Sequence, residues 1–119
     1  MQIQINTDHN TEGHEALAAH VSGVVKDAMS RVVDQVTRVE VHLGDETGHK
    51  RGKNDKRCLM EARLEGRSPI AVTHHSATLH QAVDGAAKKL TRLVESTIAR
   101  LRDKKSRASV APPQEPREE

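Results

Sequence analysis

The chain has 119 residues, which suits one domain with a single hydrophobic core and is too short for two. It lacks Phe, Tyr and Trp, which excludes the base-stacking platforms of RRM and OB-type single-strand binders, and its formal net charge is only +2. The single cysteine cannot form an internal disulfide and no apolar run is long enough to span a membrane, so we expect a soluble cytoplasmic protein.

The first part of the chain predicts a strand, a helix and a second strand. Residues 2–6 alternate apolar and polar side chains, as a half-buried strand requires. From about His14 the apolar positions recur at helical spacing, which predicts a helix that ends near Asp34. Gly23 disfavours the middle of this helix by about 1 kcal/mol relative to Ala, so we expect it to pack closely against the sheet. Alternation returns over residues 38–43.

Two further strands follow a polar segment. Residues 44–56 contain three glycines and charges of both signs but no large apolar residue, which indicates a mobile hairpin loop. Alternation over residues 57–65 puts Cys58 on the apolar side, where we expect a buried core thiol. A tight turn at residues 66–69 leads to a fourth strand at residues 70–73.

The longest predicted element is an amphipathic helix over residues 76–105, with Ser76 or Thr78 as its N-cap. Its apolar residues recur at helical spacing beside a basic strip. At about 100° per residue, the side chains of this strip project into one arc of roughly 120°. The strip, which is suited to meeting phosphate groups, consists of Lys88, Lys89, Arg92 and Arg100.

These elements predict an α+β domain in the order β-α-β-β-β-α, with one four-stranded sheet and two helices packed on one of its faces, as in dsRBD-like folds. We assign residues 1–105 to this domain. Residues 106–119 are rich in Pro and charge and poor in apolar residues, which predicts a disordered tail.

Four stretches of the chain carry a family pattern: MQIQIN at the start, EALAAHV at residues 15–21, DQVTRVEVHL at residues 34–43 and TLHQAVDGAAKKLTRL at residues 78–93. The chain resembles the ribosome hibernation-promoting factor and ribosome-associated inhibitor family, also called sigma-54 modulation or ribosomal subunit interface proteins. The last stretch is the most specific, because relatives read Ala-Ile-Asp and then a Lys-Leu-x-Arg run. The resemblance covers about residues 1–105 and implies the same order of strands and helices.

The resemblance also implies a function, which is translation inhibition under stress by binding small-subunit ribosomal RNA in the channel for messenger and transfer RNA. It implies no catalysis, cofactor, membrane or small-molecule substrate. Nothing after Lys105 could form the second domain of long family members, so the chain resembles the short form. Relatives use basic residues of the long helix against ribosomal RNA, and these map here to Lys89 and Arg92, with Arg100 and Arg102 further along. With the other cations of the same helix, the candidate RNA-binding residues are Lys88, Lys89, Arg92, Arg100, Arg102, Lys104 and Lys105.

One departure from the family pattern falls inside this helix. Relatives often continue with a turn rich in Lys and His, whereas this chain has Glu95, Ser96 and Ile98. The substitution lowers the positive charge in the middle of the expected contact with RNA.

Three alternatives to ribosome binding remain open from the sequence. The basic strip can be a solvated helix face, the domain can bind RNA without ribosome specificity, or its sheet face or tail can recruit a protein. The eight histidines, densest at His74, His75 and His80, come without an HExxH motif or a Cys partner at ligand spacing. We therefore expect surface histidines and no metal site. Without a nucleophile elbow or a Gly-rich pocket loop, we expect no enzyme.

Overall fold

The fold has six main elements and one short 3-10 turn. A computed structural model describes residues 1–7, 14–45 and 55–110, with the side chains of all of these except residues 14 and 105–110. Within these ranges the elements are β1 Gln2–Thr7, α1 His14–Ala28, the 3-10 turn Ser30–Val32, β2 Val36–Asp45, β3 Lys56–Leu64, β4 Ile70–Ser76 and α2 Leu79–Val110.

The four strands form one mixed sheet in the order β1-β2-β3-β4. β1 and β2 are parallel, because α1 carries the chain back across the sheet between them, whereas β3 is antiparallel to both β2 and β4. The order β-α-β-β-β-α confirms the predicted α+β fold class.

The core lies between one face of the sheet and the two helices. Alternate strand residues point into it, as predicted, except at the register shift between Val36 and Arg38 in β2. The helices α1 and α2 close the core from the other side. Because the core has no aromatic side chains, Met29, Met60 and Leu90 are among its largest fully buried members. Cys58 is also fully buried, as predicted, and burial raises the pKa of its thiol to about 12.

Both helices differ from their predicted lengths. α1 ends at Ala28, earlier than the predicted end near Asp34. The apolar spacing continues past Ala28 because Val32, in the 3-10 turn, is also buried in the core. α2 begins at Leu79 because Ser76 still belongs to β4, and the main-chain nitrogen of Gln81 donates to Thr78 Oγ1 at 3.1 Å. Thr78 is therefore the N-cap.

The predicted tail and the predicted hairpin loop lie mostly outside the described residues. α2 continues to Val110, past the residue at which we place the end of the domain, and the rest of the predicted tail, residues 111–119, lies outside the described residues. Residues 46–54 of the predicted hairpin loop also lie outside them. β2 is longer than predicted, whereas β3 keeps its predicted length but begins and ends one residue earlier. Lys56 Nζ bridges the two strands by donating to Asp45 Oδ2 at 3.1 Å.

Gly23 lies in the interior of α1, but the prediction that it packs against the sheet is wrong. It is exposed, and a Cβ atom added to it would have no neighbour within 4 Å. We expect Gly23→Ala to raise the free energy of unfolding by about 1 kcal/mol, because alanine loses less backbone entropy in a helix. Urea denaturation of the two proteins measures the difference, and a variant less stable than the wild type would contradict it.

Candidate nucleic-acid interface

The candidate interface is the outer face of α2. Its inner face is fixed by burial of Val83, Leu90 and Val94, so residues on the opposite side of the helix must project into solvent. The predicted cations are exposed along about 24 Å of helix, at 1.5 Å per residue. They are Lys88, Lys89, Arg92, Arg100, Arg102 and Lys104, whereas the side chain of Lys105 lies outside the described ones.

Lys88 and Arg92 are the two predicted cations that the structure brings together. They line one groove between α1 and α2, with a volume of about 480 Å³. The groove also contains two carboxylates, Asp27 and Asp84, which reduce its positive potential. Asp84 is itself engaged, because its Oδ1 lies 3.2 Å from His20 Nε2.

His20 of α1 has no role in the sequence prediction, yet it lies beside this groove. Its ring is 4.2 Å from that of His80, centroid to centroid, so two histidines from different helices meet next to Asp84. No pattern within α1 could have indicated this, because the partners come from an element 60 residues away. The contact helps fix how α1 and α2 lie against each other.

Lys89 points in a different direction from Lys88. Its Nζ donates to the main-chain carbonyl of Thr73 in β4, the last strand of the sheet, at 3.0 Å. This hydrogen bond ties α2 to the sheet edge. Lys89 would have to release it to reach a phosphate, so it is a weaker candidate than its neighbour in the sequence.

The remaining predicted cations lie towards the C-terminal end of α2. Arg100 is held loosely by its own helix, with Nη2 3.4 Å from Thr97 Oγ1. Arg102 and Lys104 are exposed and line none of the grooves described for this part of the chain.

Most of these cations have no polar contact with an anionic or other partner among the described residues. Lys88, Arg92, Arg102 and Lys104 form no ion pair with any described residue, whereas cations elsewhere pair at short range, as Arg38 does with Glu40 at 2.6 Å. An unpaired cation can neutralise a phosphate without first breaking an internal contact. We call Lys88, Arg92, Arg102 and Lys104 the free cations of α2.

Two of the three residues that depart from the family pattern, Glu95 and Ile98, have structural partners. Glu95 Oε2 lies 3.6 Å from Arg31 Nε, so its charge is compensated from the 3-10 turn that follows α1. Ile98 belongs to the core, with 9% of its surface exposed. The acidic charge at this point therefore weakens the basic face less than the sequence suggests.

The opposite face of the sheet is charge-compensated. Arg38, His42 and Arg63 all lie within 4.0 Å of the carboxylate of Glu40, whose side chain is only 16% exposed. Because the two arginines already share an anion, this face is a poorer phosphate binder than α2.

His74 is not the surface histidine that we expect from the sequence. Its imidazole is half-buried between β4 and α2, against Gly85, while His75 and His80 are exposed. Among the described residues, no three His, Cys, Asp or Glu side chains are close enough together to hold a metal ion. No helix in the described part is long and apolar enough to cross a membrane.

Protonation of His74 should oppose folding. Burial lowers the pKa of His74, and the positive charges of Lys89 and His75 lower it further, so the folded protein binds this proton less readily than the unfolded chain. The contribution of neutral His74 to stability is complete above the unfolded-state pKa of about 6.5 and is lost as the pH falls towards the lower pKa of the folded state.

The measurement is urea unfolding of the wild type and His74→Gln between about pH 8 and pH 5. We expect the wild type to lose stability more steeply than the variant below about pH 6.5. Parallel curves would show that His74 titrates alike in the folded and unfolded states.

Comparison with known proteins gives a family and a fold. A family model described as sigma 54 modulation protein / S30EA ribosomal protein matches residues 3–102. The N-terminal domain of Protein Y from Thermus thermophilus is similar in structure, with a TM-score of 0.66 and 24% identity over 82% of this chain and 99% of that one. A ribosomal subunit interface protein from Coxiella burnetii gives a TM-score of 0.61 and 17% identity over 83% and 99%. No curated protein sequence matches the chain.

Proposed function

Because the chain belongs to the sigma 54 modulation protein / S30EA ribosomal protein family, as its four patterned stretches predict, we propose that it is a ribosome-associated translation inhibitor of the hibernation type. It binds RNA of the small ribosomal subunit in the channel that messenger and transfer RNA use. The observation that carries this proposal is the set of free cations on α2, which have no anionic partner among the described residues.

The proposed mechanism of binding is electrostatic. RNA phosphates hold a layer of condensed counterions, and lysine and arginine side chains release these ions when they replace them. α2 suits this task because it is one continuous helix of 32 residues, about 48 Å long, that projects its cations in fixed directions. The gain in entropy from released ions drives association.

The protein should recognise the RNA backbone and its shape more than its bases. The absence of Phe, Tyr and Trp leaves only the smaller imidazole and guanidinium planes of histidine and arginine for stacking with an unpaired base. Lysine and arginine contacts to phosphate position a protein on RNA without reading sequence. Specificity for one place on the ribosome would then come from the arrangement of phosphates that fits the α2 face.

Inhibition requires no chemical step in this account. A folded domain bound in the channel occupies the volume that messenger and transfer RNA need, so its binding and theirs exclude each other. The same competition makes the inhibition reversible, since the inhibitor leaves when its binding to RNA weakens.

The test is binding of the full chain to purified small subunits at several salt concentrations. If the four free cations each neutralise one phosphate, they should contribute between about −2.8 and −3.6 to the slope of log K against log salt concentration. Binding that does not change with salt, or no binding at low salt, would contradict the proposal.

A further inference from the structure

The turn between β3 and β4 forms a second basic depression with α2. It has a volume of about 410 Å³, and none of its lining residues also lines the groove between the helices. Its lining consists of Gly66, Arg67, Ser68, Thr97, Arg100 and Leu101. Two guanidinium groups and two hydroxyl groups therefore border one space, and no carboxylate of the described residues lines it.

The backbone of the turn is held in a defined shape. Gly66 has a φ of 72°, in the left-handed region that glycine adopts without strain. The main-chain nitrogen of Arg67 then donates to the carbonyl of Leu64 at 3.0 Å. Arg67 thus projects from a fixed turn rather than from a long loop, and Arg100 faces the same space from a helix.

Neither arginine is neutralised by a neighbour. Arg67 also borders a smaller depression that contains Asp34 and Glu65, yet it forms no ion pair with these or any other described residue. Arg100 contacts only the hydroxyl of Thr97 among the described side chains. Guanidinium groups offer several N–H donors in a plane that matches a phosphate, and the hydroxyls of Ser68 and Thr97 can donate as well.

We propose that Arg67 and Arg100, with the hydroxyls of Ser68 and Thr97, bind one phosphate of an RNA backbone. RNA as the source of the phosphate rests on the proposed function. Arg100 lies eight residues after Arg92, the nearer cation of the groove, which is about 12 Å along the helix, so one phosphate cannot serve both places. The depression therefore adds a separate contact, and it brings the β3–β4 turn into an interface that the sequence assigns to α2 alone.

The experiment compares Arg67→Gln, Arg100→Gln and the double variant with the wild type. Each full-length protein is titrated with purified small subunits and, separately, with a plain RNA duplex of about 16 base pairs. Arg63→Gln is the matched control, because it makes the same change on the opposite face of the sheet. Thermal unfolding checks that every variant keeps the fold.

We expect each single variant to bind both RNAs roughly three- to tenfold more weakly. If both arginines hold one phosphate, the salt slope of the double variant falls by only about 0.7 to 0.9, the value for a single phosphate. Arg63→Gln should bind as the wild type does. Unchanged binding by the double variant, or equal losses in Arg63→Gln, would overturn the inference.

The two ligands separate this inference from the proposed function. Binding to the duplex but not to the small subunit, with the same dependence on Arg67 and Arg100, would support the phosphate contact and refute the ribosomal function. Binding to the small subunit that depends on Lys88 and Arg92 but not on Arg67 would support the ribosomal function and refute the phosphate contact. Binding to neither RNA would refute both.

Discussion

Replacing Lys88 and Arg92 together with glutamine should weaken binding to the small subunit roughly 30- to 100-fold at about 0.1 M salt. These two side chains line the same groove and have no ion-pair partner among the described residues. Each therefore makes its charge available to a phosphate. The affinity is measured by titration of labelled protein with purified subunits.

The stability of this double variant should stay close to that of the wild type. Neither side chain is buried, and neither donates a described hydrogen bond within the protein, so their removal leaves no unsatisfied group. Arg63→Gln provides the comparison for a lost arginine outside the proposed interface, and we expect its affinity to stay within about twofold of the wild type. A double variant with wild-type affinity would show that the groove is not part of the RNA interface.

Lys89→Gln should lower the stability of the protein, unlike the double variant of Lys88 and Arg92. The wild-type side chain donates to the carbonyl of Thr73, so its loss should lower the free energy of unfolding by roughly 0.5 to 1.5 kcal/mol. The contrast between adjacent residues separates a cation that holds α2 on the sheet from a cation that faces outwards.

Gly85→Ala should destabilise the protein. A Cβ atom at Gly85 would overlap the imidazole of His74, so the ring must move or α2 must shift away from β4. We expect the free energy of unfolding to fall by about 1 to 3 kcal/mol, although alanine is the better helix former by about 1 kcal/mol. Urea denaturation measures the change.

The second variant that identifies the cause is His74→Ala in the Gly85→Ala background. Removing the ring makes room for the new methyl group, so the double variant should be more stable than Gly85→Ala alone, with strong non-additivity between the two changes. Additive effects, or a Gly85→Ala protein as stable as the wild type, would show that the close approach of α2 to His74 does not occur. Gly23→Ala, the same exchange in α1, is the control, because we expect it to raise the free energy of unfolding.

The sequence predicts most of the fold because each strand and helix carries its own periodicity. Alternation in β2 and β3 identifies the buried face before any pairing is known, and helical spacing does the same for the inner face of α2. The predicted order and packing are correct for that reason. The end of α1 is missed because Val32 continues the apolar spacing although the backbone has tightened into a 3-10 turn.

The contacts between elements are what the sequence does not supply. Gly23 and Gly85 look alike as helix glycines, yet only Gly85 has a side chain from another element against it. Lys88 and Lys89 are adjacent and chemically identical, yet only Lys89 is held by the sheet edge. Glu95 looks like a defect in the basic strip until its contact with Arg31 is known. Periodicity describes one helix or strand at a time, whereas these contacts depend on how two elements pack against each other.

Competition decides the central claim most directly. Full-length protein is sedimented with empty small subunits and with small subunits that already hold messenger and transfer RNA, at near-physiological salt. Our account predicts saturable co-sedimentation with the empty subunits and its loss with the occupied ones, because both ligands need the same channel. Equal binding to empty and occupied subunits would contradict it.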